Sequence, residues 1–198
     1  MDTKQHILQS AFILFLGKSY DAVTLNEICK VTGLSKGAFY HHYRSKEELF
    51  REVIDKFVFA NLFFEKAEFD GKSTLQSTID SFLEHLESKI SKLTELTGLE
   101  FADPDHFQLI LEASRSYPGF SEQIKKREQK NSAFWEHVIL KAQKEGEIRG
   151  DIDPLLLNGI MLAIGSSLFR HILHQEPFSD AVNLLRRQYN QLYRLIKA

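Results

Sequence analysis

Lys36, Gly37, Ala38, Tyr40 and His41 fall within one short stretch, and their types suit contact with a polyanion. An ammonium at position 36 reaches a guanine edge or a phosphate, and the phenol and imidazole at 40 and 41 hydrogen-bond phosphate oxygens. Gly37 and Ala38 are small enough to let the backbone approach base edges. Between Glu27 and Glu47 the charged side chains are Lys30, Lys36, Arg44 and Lys46, with no acid among them. The whole chain carries a formal charge of −2, so a nucleic-acid site must be local. The chemistry implied is recognition of a DNA major groove rather than bond making.

Such side chains need a rigid mount, and the flanking residues supply one. Leu25, Ile28 and Cys29 recur at i, i+3 and i+4, the apolar stripe of a helix. Thr24 caps that helix, and Glu27 completes a capping box. Gly33 stands where the helix must stop, since a left-handed residue costs glycine nothing. Ser35 caps a second helix. Phe39 and Tyr43, four apart, face inward together and leave Lys36, Gly37, Tyr40 and His41 outward. This is a helix-turn-helix with the second helix as the reader. A preceding helix over residues 3–17 braces it through Ile7, Leu8, Ala11, Phe12, Leu14 and Phe15, and Thr3 to His6 are either beside the DNA backbone or solvated. Ser45 and Glu48 form another capping box, opening a long helix from Lys46 to about Ala67. Lys46 in its first turn is placed for a phosphate.

Thr24, Ile28, Gly33, Ser35, Gly37, Tyr40, Tyr43, Lys46 and Leu49 form the pattern T-x3-I-x4-G-x-S-x-G-x2-Y-x2-Y-x2-K-x2-L. Over roughly the first fifty residues this resembles the signature of the TetR family of bacterial transcriptional regulators. Many members carry Phe where this chain has Tyr43. The resemblance implies an all-α fold: an N-terminal three-helix DNA-binding head over residues 1–50, then a larger helical ligand-binding and dimerisation body over 51–198. It further implies a repressor that binds a palindromic double-stranded DNA operator as a homodimer, with Thr24, Ser35, Lys36, Gly37, Ala38, Tyr40, His41 and Lys46 at the DNA. A small-molecule effector would release it, with the helix from Lys46 carrying the signal.

Beyond the head, apolar residues at helical spacing predict helices from about Ser73 to Thr97, from Pro104 to the Tyr117-Pro118-Gly119 turn, and from Ser121 to about Glu145. Two more run from Pro154 to about Leu173, capped by Asp153, and from Pro177 to Ile196. The last two carry more apolar residues than one inward face needs, so they are expected to pair with their copies, and Ile164 and Leu168 are expected at that interface. Sixteen phenylalanines are an excess. Phe59, Phe63, Phe82, Phe107 and Phe134 are expected to line a cavity for an apolar or aromatic molecule, although a filled core would use the same residues. His85, Arg115, His137 and Asn158 are candidate polar anchors within it.

Other functions find little support. The single cysteine, Cys29, lies on an apolar face and excludes an intrachain disulfide. His41 and His42 are adjacent and face apart, and His171 with His174 makes only a pair, short of the three or four ligands a metal needs. No acid/base pair, nucleophile elbow or Gly-rich phosphate loop marks an enzyme, and no cofactor is implied. No apolar run approaches the ~20 residues of a membrane span, and the N-terminus does not read as a signal peptide, so a cytoplasmic protein is expected. Two alternatives remain open: a DNA-binding regulator that senses no ligand, and an interaction protein that binds a protein partner through its body.

Overall fold

The computed structural model describes residues 2–60, 73–98, 104–168 and 177–198, for Pro104 and Phe107 the backbone alone. The protein is all-α. Its first helices are α1 (Thr3–Gly17), α2 (Leu25–Thr32), α3 (Lys36–His42) and α4 (Lys46–Val53). The starts of α2, α3 and α4 and the end of α2 are set by the local signals expected of them. The Thr24 hydroxyl accepts from the Glu27 N–H, while the Glu27 carboxylate accepts from the Thr24 N–H, closing the capping box. Gly33 adopts φ 70° and ends α2. Ser35 accepts from Ala38 N–H and Ser45 from Glu48 N–H. The reciprocal half of the Ser45 box is shifted by one residue, because the Glu48 carboxylate accepts from Arg44 N–H at 2.7 Å.

Ile7, Leu8, Phe12 and Phe15 of α1 close over Ile28, Phe39, Tyr43, Leu49 and Phe50, all at most 2% exposed. The Phe15 ring meets Phe50 edge-on at 5.0 Å. This small core fixes the angle between α2 and α3.

The helix from Lys46 departs from the expected uninterrupted α-helix. After Val53 it widens into a π-helical segment, Ile54–Phe59. Ile54, Phe57, Val58 and Phe59 are all buried there, a sector wider than one α-helical stripe covers. Packing explains the demand. Phe57 stacks on Phe12 of α1 at 4.3 Å, and Phe59 stacks on Phe120 of the body at 5.2 Å. A π turn holds an extra residue and rotates the side chains that follow. The expected continuation to Ala67 lies outside the described residues.

The body comprises α5 (Leu75–Thr97), α6 (Pro104–Ser116), α7 (Phe120–Lys144), α8 (Pro154–Ser166) and α9 (Phe178–Ile196). The part of the α8 expectation that runs on to Leu173 falls beyond Leu168 and outside the described residues. Thr74 caps α5 and Gly98 ends it at φ 71°. Asp153 caps α8 ahead of Pro154. Helix α7 packs on α8, and α9 packs on both α5 and α8. Their shared core centres on Trp135, 2% exposed, with Phe82 edge-on to it at 5.5 Å and to Tyr189 at 5.8 Å. Glu147, in the turn after α7, accepts from Leu75 N–H at 2.7 Å, Gln76 N–H at 3.1 Å and the Tyr193 hydroxyl at 3.1 Å. A carboxylate there satisfies free amides at the positive end of α5. The same turn pairs with the C-terminus through Arg149 N–H to Ile196 O, 2.8 Å, and Ala198 N–H to Glu147 O, 3.1 Å.

Candidate functional site

On α3, Lys36, Gly37, Tyr40 and His41 are exposed, with Tyr40 55% accessible. Phe39 and Tyr43 point the other way, each 1% exposed. The Tyr40 ring rests edge-on against Phe39 at 5.6 Å, which braces it while its hydroxyl stays outward. Burial, and then the Glu52 carboxylate, push the Tyr43 phenol above its usual range, so it stays neutral. Lys4, on α1, sits over the Tyr43 ring and pairs with Glu52 at 2.9 Å. Gly37 is informative. A methyl group there would meet nothing nearer than Ser35 Oγ at 3.8 Å, and the residue is not left-handed. Nothing within the protein requires glycine at this position.

Three of the expected DNA residues carry structural duties. Thr24 and Ser35 spend their hydroxyls on the caps. Lys46, expected at a phosphate, turns its ammonium inward instead. It donates to Tyr20 O at 2.7 Å and Val23 O at 2.9 Å, 4.2 Å from the centre of the Tyr20 ring. Its stem reaches the loop before α2 because α1 and α4 pack side by side. Replacing Lys46 with methionine should therefore lower stability by about 2 kcal/mol, the scale of charged hydrogen bonds left unmade, as read by denaturant unfolding. A phosphate role alone predicts unchanged stability.

Glu27 faces Lys18 at 2.6 Å, and this bond, ahead of the Thr24 amide, holds its carboxyl down at about 2. A depressed acid stabilises the fold above the ordinary carboxylate range near 4.5 and loses that contribution as pH falls towards 2. An NMR titration is expected to put the Glu27 midpoint near 2, and in Lys18→Met it should move up towards the ordinary value.

The head meets the body through α1 and α6. Tyr20 N–H donates to the Glu112 carboxylate at 2.7 Å. The Tyr117 hydroxyl donates to Asp55 in the π segment at 3.3 Å. Burial raises the Asp55 carboxyl above its usual value, with Tyr117 and Arg127 opposing. Arg51 lies over the Tyr117 ring at 5.7 Å and Arg127 over Phe59 at 4.7 Å.

Within the body lies a cavity of ≈ 610 Å³ bounded by α5, α6, α7, α8 and α9. Of the five phenylalanines expected around it, Phe82 lines it. Phe59 is instead packed beneath Tyr117 and Phe120, and Phe134 lies against Trp135. Phe63 and the Phe107 side chain lie outside the described residues. The aromatic walls that sequence reasoning missed are Phe120, Trp135 and Tyr189. A lone tryptophan at helical spacing in the middle of α7 was the available signal. Of the polar anchors, Arg115 and His137 are exposed and His85 does not line the cavity. Asn158 is buried and donates to Ser132 O at 3.1 Å and Ser132 Oγ at 2.9 Å, holding a wall residue in place.

The outward face of α8 is apolar: Leu155 is 65% exposed, Leu156 68% and Ile160 49%, beside exposed Gly159 and Ala163. Leu195 of α9 is 64% exposed. Ile164 and Leu168, expected at the interface with a copy, are partly buried and packed against the core, and Leu168 lines the cavity. Gly165 lets the Tyr189 hydroxyl come within 3.1 Å of where a Cβ would stand, and that hydroxyl donates to Met161 O at 2.9 Å. His171 and His174 lie outside the described residues, among which no group of three His, Cys, Asp or Glu side chains could hold a metal. No helix among them is long and apolar enough to cross a membrane.

Residues 7–53 match the model of "Bacterial regulatory proteins, tetR family". The chain is 25% identical over 160 residues to the HTH-type transcriptional repressor KstR2 of Mycolicibacterium smegmatis, covering 76% of this chain and 69% of that one. It is 42% identical over 55 residues to the HTH-type transcriptional regulator QacR of Staphylococcus aureus, covering 28% of this chain and 29% of QacR, so that likeness is confined to less than a third of either protein. Among solved structures, the SmeT–triclosan complex aligns over 99% of this chain and 92% of its own with a TM-score of 0.70 at 16% identity. A transcriptional regulator from Aquifex aeolicus aligns over 96% and 99% with a TM-score of 0.61 at 25% identity.

Proposed function

We propose that the chain, whose residues 7–53 match the model of the TetR family of bacterial regulators, is a repressor that binds a palindromic operator as a homodimer and leaves it when a small apolar molecule enters the body. In this reading residues 1–50 form the DNA-binding head and 51–198 the sensing and pairing body, working in the cytoplasm. The observation that carries it is the exposed face of α3, where Lys36, Tyr40 and His41 surround a glycine that nothing inside the protein requires. Ala38 and the amides at the start of α3 lie on the same approach, while Thr24, Ser35 and Lys46 hold the mount. The names of KstR2 and of other relatives support repression.

The cavity supports the sensing role over a ligand-independent regulator. Phe120 lines it and stacks on Phe59, which belongs to the same helix that begins beside the loop between α1 and α2. A ligand that displaces Phe120 acts on the π segment and so on the angle of the head. The shift can be no larger than the ligand's preference for the non-binding arrangement, typically about 1–3 kcal/mol.

The test is selection of bound fragments from genomic DNA followed by footprinting. A recovered palindrome whose half-sites are about one helical turn or a multiple apart supports the reading. Recovery of fragments without shared sequence, bound equally at all salt concentrations, leaves the body as the working part and favours an interaction protein.

A further inference from the structure

We infer that the molecule taken by the body cavity is a neutral apolar compound bearing a carbonyl oxygen, and that Ser132 donates its hydroxyl proton to that oxygen. This rests on the reading of the cavity as the effector site and specifies its chemistry. Ser132 is half-buried and lines the cavity in the series Ile124, Glu128, Ser132 and Trp135 of α7. Positions three and four apart share one side of a helix. Most of the surrounding wall is carbon, from Phe82, Phe120, Met161 and Leu185 among others.

The hydrogen bonds around Ser132 decide which way its proton goes. Asn158 of α8 is buried, and its Nδ2 stands 3.1 Å from Ser132 O and 2.9 Å from Ser132 Oγ. A contact with a carbonyl oxygen calls for an N–H group, so the amide is not reversed. The same nitrogen donates to Oγ, which is therefore the acceptor in that bond. Among the described residues the Ser132 O–H has no acceptor of its own, not even the carbonyl one turn back that helical serines commonly use. The other hydroxyls on the wall are spent, Tyr189 on Met161 O and Ser166 on Ala163 O. A donor left unmade beside carbon walls costs free energy, and an acceptor on the ligand offsets that cost. A carbonyl offers lone pairs without a competing proton. None of the described lining residues is Lys, Arg or His. A carboxylate would thus leave water with no cation to receive it, a cost that a neutral carbonyl does not bear.

The experiment compares three probes on the full chain by calorimetry. They are benzophenone, its isostere diphenylethylene, in which a methylene carbon replaces the oxygen, and diphenylacetate. Benzophenone is labelled at its carbonyl carbon, whose NMR resonance moves downfield when the oxygen accepts a hydrogen bond. Ser132→Ala should weaken benzophenone about fivefold, the scale of one neutral hydrogen bond, without weakening diphenylethylene. The bound carbonyl resonance should lie downfield of its position in an alkane solvent with the parent, and move back to that position with Ser132→Ala. Ser132→Thr, which keeps a hydroxyl, should restore both the affinity and the resonance. Diphenylacetate should bind least. Ser132→Ala should remain folded, because Asn158 keeps its bond to the backbone carbonyl at 132 and alanine favours a helix.

A parent resonance at the alkane position would overturn the Ser132 assignment while leaving the cavity as a ligand site. So would affinities for benzophenone and diphenylethylene that change equally, or not at all, in Ser132→Ala. Diphenylacetate binding tightest would overturn the neutral carbonyl. If none of the three binds, both this assignment and the sensing role fall, with the DNA-binding reading untouched.

Discussion

Replacing Leu156 and Ile160 together with glutamate is expected to convert a dimer to a monomer and to lower operator affinity by roughly a hundredfold or more, the range in which linked sites exceed single ones. Both side chains are about half exposed or more on α8, so the double variant should keep its helical content and unfolding temperature. Fully covering a leucine or isoleucine contributes about 1.5–3 kcal/mol. A carboxylate in its place must be buried unpaired, at a cost of several kcal/mol per ion, and two-fold symmetry doubles the number. Gly159 and Ala163 on the same face let a second helix approach closely. Sedimentation of parent and variant at micromolar concentration gives the state directly. A variant that still sediments with the parent's mass places the contact elsewhere. Ile164→Glu serves as a contrast: that residue is partly buried against the core, so the variant is expected to lose stability as well, read as a lower unfolding temperature.

The second large effect is expected on α3. Gly37→Ala should stabilise the head, since alanine is better than glycine in a helix by about 1 kcal/mol and the structure has room for the methyl. The same variant should bind the selected operator more weakly, because the methyl stands between the backbone and the base edges. A gain in stability paired with a loss in affinity cannot come from damage to the fold. Lys36→Ala and Tyr40→Ala should each leave the unfolding temperature unchanged, both residues being exposed. Loss of a base contact costs about 1–3 kcal/mol. A contact made only to phosphate would instead reduce the slope of log K against log salt by about one. Filter binding across a salt series separates the two. Operator affinity unmoved in all three variants would show that another face meets the DNA.

The repression and sensing proposals join at one place in the chain. The π segment touches α1 through Phe57 and the cavity wall through Phe59. Asp55 within it is tied to Tyr117 at the end of α6.

What the sequence by itself determined is what short-range forces decide. The capping box at Thr24 and Glu27, the left-handed Gly33, the cap at Ser35 and the opposed faces of α3 depend on residues within a few positions of each other. Their hydrogen bonds form with partners three or four residues away, so spacing alone makes them legible. Most of the body's helix ends follow from the same local rules. The tertiary structure decided everything that depends on which distant surface arrives. Lys46 turns from a phosphate to the carbonyls of Tyr20 and Val23 because α1 brings that loop beside it. Helix α4 widens because Phe12 and Phe120 demand contacts on two sides at once. Phe120, Trp135 and Tyr189 line the cavity while Phe59 and Phe134 do not. Leu156 and Ile160 are exposed while Ile164 and Leu168 are partly covered by the core. A helix as apolar as α8 has no polar side to mark its exterior, so only the positions of α7 and α9 tell one face from the other.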